Sequence, residues 1–465
     1  MIQLTAIGLP SIGVETHFPD LPIIEYHRRH DDIVRRIRER SLDVLIVYGD
    51  REHAANLEFL TGFDPRFEEA LLLVAKTGDR LLLAGNECMG YLPDDRLAIR
   101  AELLQELSLL GQPRADSRPL RRILSEFGVA RGVRVGCAGW KYFGATLGEP
   151  SDTAIEVPAY IVDILRDLTG ARSLVTNATA LFMDPDTGAR VENCASQLAR
   201  FEYASIRTSE SVRVAMQHLR PGVEEQDLER HFEAAGLTLS CHPMVSFGQK
   251  AQRGLSSPSA RVAQLGDTFT MAFGLKGALT ARAGAVARGP DDLPADLREF
   301  YPAFAANYFD VVSTWYEQVK VGACAGDVFA AVEAKRNAAL YRFAVNPGHY
   351  LHLDEWMHSP FVPESRTVLR SGAALQMDII PISAGPFCYI NVEDGVALAD
   401  EALRSEIASN FPAMWSRMQA RRAFMTEALG IRLDESVLPL SNTPGWLPPY
   451  ALEPMRMLVK RTLPA

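Results

Sequence analysis

The sequence has no run of about 18 consecutive apolar residues, the length a membrane-spanning helix needs, and its start, Met1-Ile2-Gln3-Leu4-Thr5-Ala6, is neither basic nor strongly apolar. A cytoplasmic protein without a membrane partner is expected. It also lacks paired cysteines. Cys88, Cys137, Cys194, Cys241, Cys324 and Cys388 are widely spaced and form no Cys-x-x-Cys motif, which argues against a disulfide framework or a thiolate zinc site. Basic charge is in deficit: the net charge is −10, so no global positive field draws nucleic acid. No repeat of solenoid period is present.

What remains is an ordinary globular composition. The chain has 465 residues, 47% of them apolar and 23% charged, enough for two domains with full cores. Ile23 to Arg40 shows helical apolar spacing, and Leu42 to Tyr48 reads as a buried strand. Lys76-Thr77-Gly78-Asp79 is a hairpin turn between two leucine-rich runs, and helices and strands alternate onward, so residues 1–190 are expected to form one α/β domain. The turn-rich stretch Met183 to Gly188 marks the boundary. A helix over Ala195 to Leu219 follows, then Arg220-Pro221-Gly222, a helix over Glu225 to Ala235, helices over Ala295 to Val319 and Val328 to Tyr341, and strands around Phe269 to Phe273, His349 to Leu353 and Leu375 to Ile380. Residues 191–465 are therefore expected to be an α+β domain.

The order helix, Pro-Gly turn, helix, Gly266-Asp267 strand, Pro347-Gly348-His349, acidic strand Gly372 to Asp378 and Asn391-Val392-Glu393-Asp394-Gly395 resembles the pita-bread fold of methionine aminopeptidase, aminopeptidase P, prolidase and creatinase. Residues 1–190, including Asn56 to Phe63, resemble the creatinase and prolidase amino-terminal domain. The resemblance implies a pita-bread domain over 191–465 preceded by a creatinase-like α/β domain. In the metal-dependent members, two aspartates eleven residues apart, a histidine and two later acidic residues hold two divalent ions that activate a water. The motifs place Ala272 and Ala283 at the aspartate positions, and His349, Asp378 and Glu393 at the other three. A methyl group offers a hard cation no lone pair, so a standard dinuclear aminopeptidase is not expected.

Three readings follow from the resemblance. The first is a creatinase-like hydrolase with no cofactor, acting on a C–N bond of a small cationic substrate such as a guanidinium, amidine or amine, with His349, Asp378 and Glu393 as the catalytic set and His349 moving protons. The second keeps one manganese, zinc or iron ion on those same three residues. The third is an inactive binding module. Relatives carry another pocket histidine just before the Gly-Asp strand, where this chain reads Gln252-Arg253-Gly254-Leu255; His242 is the nearest substitute. His358, two positions later than the family pattern expects, is the candidate for a second substrate-contacting histidine. Arg66 and Phe67 lie where creatinase sends residues into the partner subunit's pocket, which makes them substrate-binding candidates and implies a homodimer.

Several neighbours have simpler explanations. Strand alternation sets His352 opposite His349 and turns Arg282 away from the face of Ala283. Asp354 or Glu355 caps a turn. The Pro-rich stretch Asn442 to Tyr450 packs on its own domain or a dimer mate, and the aromatic series Phe300, Phe304, Tyr308, Trp315 and Tyr316 falls at helical spacing, as core residues do.

Overall fold

A computed structural model describes residues 1–144 and 151–461. The chain forms two compact units, one over Leu21–Val191 and one combining Met1–Asp20 with Glu192–Ala465. The expectation for residues 1–190 is thus corrected at its start. Ile2–Ala6 pairs antiparallel with Arg456–Lys460, from Ile2 opposite Lys460 to Ala6 opposite Arg456, so the first residues complete a sheet with the last ones.

The Leu21–Val191 unit is built on a six-stranded mixed sheet. Its strand order is Arg100–Leu103, Arg80–Ala84, Ala70–Ala75, Val44–Gly49, Val135–Ala138 and Val175–Asn177. Val44–Gly49 is buried along its whole length and pairs antiparallel with Ala70–Ala75 and parallel with Val135–Ala138, the burial that its continuous apolar run requires. Helices Leu120–Glu126 and Ala159–Thr169 place Leu120, Ile123, Leu124, Ile161 and Leu165 in the same core as Ile46, Leu71 and Val135. This is the expected α/β domain.

The other unit is α+β, as expected. Its main sheet is antiparallel in the order His349–Tyr350, Ala374–Met377, Asn391–Leu398, Ala278–Ala285, Thr268–Leu275 and Met244–Phe247, with Val437–Pro439 added alongside Asn391–Leu398. Helix Ala195–His218 packs on this sheet and is tied to it by a 2.9 Å hydrogen bond between the hydroxyls of Thr208 and Thr280. The expected helix over 225–235 is shorter, Glu225–Glu229, and the one over 328–341 is Ala325–Lys335, because Tyr341–Phe343 is a strand paired with Pro381–Ser383.

Helix Phe300–Gln318 buries Phe304, Tyr308, Trp315 and Tyr316, and the polar ends of two of these aromatics hold the chain around the later strands. Tyr308 donates to the Ile379 carbonyl at 2.8 Å and accepts from the Val392 amide at 3.2 Å. Trp315 donates to the Pro347 carbonyl at 2.9 Å. Gly348 sits at φ 95°, and a Cβ there would lie 2.8 Å from the Trp315 indole nitrogen and 3.0 Å from the Gln376 carbonyl; only glycine tolerates both the angle and the approach. His349, Asp378 and Glu393 each lie within two residues of one of these three anchors. The Pro-rich segment over 442–450 is buried within this unit.

Candidate functional site

The sheet register brings the motif residues into rows. His349 pairs with Gln376, which pairs with Gly395. One row further along, Glu393 pairs with Ala281, Ala281 with Ala272, and Ala272 with Met244. The residue opposite Ala272 is therefore Ala281, not Ala283, which faces Thr270 and Asn391. The cause is a tight connection: Leu275 pairs directly with Ala278, leaving only Lys276 and Gly277, at φ 96°, to make the turn. In either register the strand offers a methyl group. Met244, Ala272 and Leu279 form a buried apolar cluster, with Cys241 and Ala281 against it. Residues that hold two divalent ions are thus missing from this half of the site, and the donors present do not fit a dinuclear centre.

The other half is polar and closed. His349 is 0% exposed, Asp378 4% and Glu393 6%. One ligand atom from each lies within 4.8 Å of the others, and His349 Nε2 is 4.0 Å from both Asp378 Oδ2 and Glu393 Oε1. Nδ1 of the same ring is 3.2 Å from the Tyr350 carbonyl, which leaves Nε2 to face the acids. His349 Nε2, Asp378 Oδ1 and Glu393 Oε1 are buried and make no hydrogen bond among the described residues, an arrangement that costs free energy unless a ligand satisfies it.

Two further residues meet His349, and neither was singled out for the site from sequence. The chain bends over 352–355, carrying Glu355 Oε1 to 3.3 Å from His349 Nε2 and the Trp356 indole into a stack on the imidazole, centroids 4.1 Å apart and planes 22° from parallel. Glu355 is therefore a third carboxylate of the site and not merely a turn residue. A usable signal existed for Trp356, which occupies the position, two before His358, where the family pattern expects a histidine.

Like charges crowd this space. Burial raises the Asp378 carboxyl to about 7, with Glu355 adding to the rise and His349 opposing it. Glu393 is driven well above the usual carboxylate range by burial, then by Asp378 and Glu355. Burial alone would lower His349, but the Glu355 carboxylate, then Asp378 and the Tyr350 carbonyl, hold it above its ordinary value. Burial and mutual repulsion disfavour the carboxylates, and a positive charge in their midst would relieve both effects.

The remaining candidates fall elsewhere. His242 is exposed and bonds through Nε2 to the Leu255 carbonyl at 2.7 Å; the structure does not bring it to the cluster, because the Cys241 side of that segment is the one packed inward. His358 forms an antiparallel bridge with Tyr350, its carbonyl accepting from the Tyr350 amide at 2.7 Å. Paired residues share a face, so alternation sets His358 opposite His349. His352 is buried edge-on against Phe201 at 5.2 Å, a packing role. Arg66 and Phe67 belong to the Leu21–Val191 unit, where the Arg66 guanidinium lies 5.3 Å from the Tyr91 ring centroid and Phe67 is 48% exposed.

An α/β domain followed by an antiparallel sheet carrying a late histidine and two acids defines the pita-bread fold of prolidases and aminopeptidase P, and this chain has it. Its structure is similar to a prolidase from Thermococcus sibiricus, with TM-score 0.63, 15% identity and coverage of 82% of this chain and 96% of that one. It is similar to dipeptidase PepE from Mycobacterium ulcerans, with TM-score 0.61, 16% identity and coverage of 82% and 94%, and to an Escherichia coli aminopeptidase P, with TM-score 0.55, 14% identity and coverage of 82% and 93%. At these identities the likeness is one of fold. No protein-family model matches the sequence, and no curated protein matches it either.

Proposed function

We propose that the protein is a hydrolase of this fold that cleaves a C–N bond in a small organic cation without a two-metal centre. The observation that carries the reading is the convergence of His349, Glu355, Asp378 and Glu393 in a site short of positive charge, facing an apolar patch where metal-bridging carboxylates would stand. An amidinium, guanidinium or ammonium group supplies the missing charge and hydrogen-bond donors for Asp378 Oδ1 and Glu393 Oε1. Water then adds to the substrate carbon as Asp378 accepts one of its protons, a role suited to a carboxyl near 7. As the C–N bond breaks, the electron pair stays on nitrogen, which takes a proton from His349 Nε2. Glu355 raises the proton affinity of that imidazole against the effect of burial.

A second reading keeps one divalent ion, and the clustering of one nitrogen and two oxygen donors within 4.8 Å favours it. His349, Asp378 and Glu393 would hold manganese, zinc or iron, which would polarise the scissile group. Turnover assays on creatine-like, ectoine-like and Xaa-Pro compounds, with and without manganese, separate the two. The organic-cation reading expects turnover of a cationic compound without metal and a loss of at least about 100-fold in His349→Ala. Glu393→Gln should raise KM more than it lowers kcat, whereas Asp378→Asn, which removes the proton acceptor, should lower kcat. Activity only with manganese selects the single ion. No turnover, with ligand binding unchanged in all three variants, leaves a binding module.

A further inference from the structure

Trp356 has two environments. Its inner face stacks on His349, while the residue is 37% exposed and lines an open groove of about 700 Å³ together with Phe329, Arg336, Arg342, Phe343 and Val345. His349, Asp378 and Glu393 are closed off from solvent, whereas the Glu355 side chain keeps 25% of its surface. Glu355, next to Trp356 in the chain, is thus the member of the acidic cluster most open to solvent. Phe329, Phe343 and Trp356 supply aromatic faces to this groove beside the polar Glu333, Arg336, Arg342 and Asn346, and Arg336 is paired with Glu333, its guanidinium 5.5 Å from the Phe343 ring centroid.

We propose that Trp356 is the specificity-determining wall of this site: its outer face receives a planar aromatic substituent while the cationic head joined to that substituent enters past Glu355. The proposal rests on the organic-cation reading above and narrows it to aryl-substituted amidines and guanidines. Aromatic stacking on a large, partly desolvated indole adds affinity beyond area burial, and a small alkyl cation has nothing to place there.

Calorimetric titration of the full-length protein with acetamidine and with benzamidine tests it. Benzamidine should bind at least about tenfold more tightly than acetamidine. Trp356→Ala should lose most of that preference, with a smaller loss for acetamidine, and Trp356→Phe should keep it. Melting temperatures of both variants check that they fold. If wild type binds the two amidines equally, or if Trp356→Ala retains the tenfold preference, the wall is elsewhere and the cation reading survives. If neither amidine binds, the cation reading falls, and this inference with it.

Discussion

Arg282 and Asp394 form an ion pair behind the candidate site, with Arg282 Nη2 3.0 Å from both carboxylate oxygens and neither side chain more than 1% exposed. Strand alternation turned Arg282 away from the site, as expected, and gave it a structural task. Its Nη1 donates to the carbonyls of Ala281 at 2.6 Å and Glu393 at 3.1 Å, and Nη2 also donates to Thr443. Asp394 in turn accepts from Ser441 at 2.6 Å and the Gly445 amide at 3.0 Å. The pair thus braces the backbone that carries Glu393 and anchors the Pro-rich segment.

Removing one partner leaves the other charge buried and uncompensated. Arg282→Met or Asp394→Asn should each cost about 3–5 kcal/mol of stability, read from urea unfolding at neutral pH. A loss below about 1 kcal/mol in both would show that solvent reaches the pair.

The alanine rows bear on metal content. Purified protein should carry well under one equivalent of divalent metal per chain by elemental analysis, and chelation should leave its melting temperature almost unchanged. Two tightly bound ions would overturn the alignment that sets Ala272 and Ala283 at the aspartate positions.

In the Leu21–Val191 unit, His30 is buried and its Nδ1 faces the Arg80 guanidinium. Burial and then the Arg80 charge push it down to about 3, from 6.5 when free. Between those values the unfolded chain binds a proton that the folded one does not. Stability should therefore fall as pH drops through this window and recover above it. Denaturation midpoints at pH 7 and pH 4.5 should differ less in His30→Gln than in wild type; an equal difference would mean that His30 can be protonated in place.

Assembly is testable without a substrate. The resemblance to creatinase and prolidase, together with exposed Phe67 beside Arg66, leads to the expectation of a stable homodimer in light scattering at micromolar concentration. A monomer would remove any role of those two residues in a partner's pocket.

The elements that sequence disclosed best are those whose pattern is local. The apolar run ending at Tyr48 became the central strand Val44–Gly49, and Lys76 to Asp79 became the expected hairpin connection. His349, Asp378 and Glu393 could be named because each sits in a short motif with its own backbone requirement, such as the positive φ of Gly348. Which residue stands across from Ala272 is not legible in a spacing counted along the chain; the pairing of Ala272 with Ala281 is set by the hairpin register.

By itself the sequence determined the two-unit α/β and α+β architecture, the absence of carboxylates from the Thr268–Leu275 and Ala278–Ala285 strands, and the three polar residues that lie on or just past the later strands, since burial pattern and residue chemistry are properties of short segments. Only the tertiary structure decided that Glu355 and Trp356 both close on His349, that Ile2–Ala6 pairs with Arg456–Lys460, and that Arg282 neutralises Asp394 behind the site. Each of these depends on a bend, a register or a long-range pairing, and such geometry is fixed by packing between segments that carry no local signal of one another.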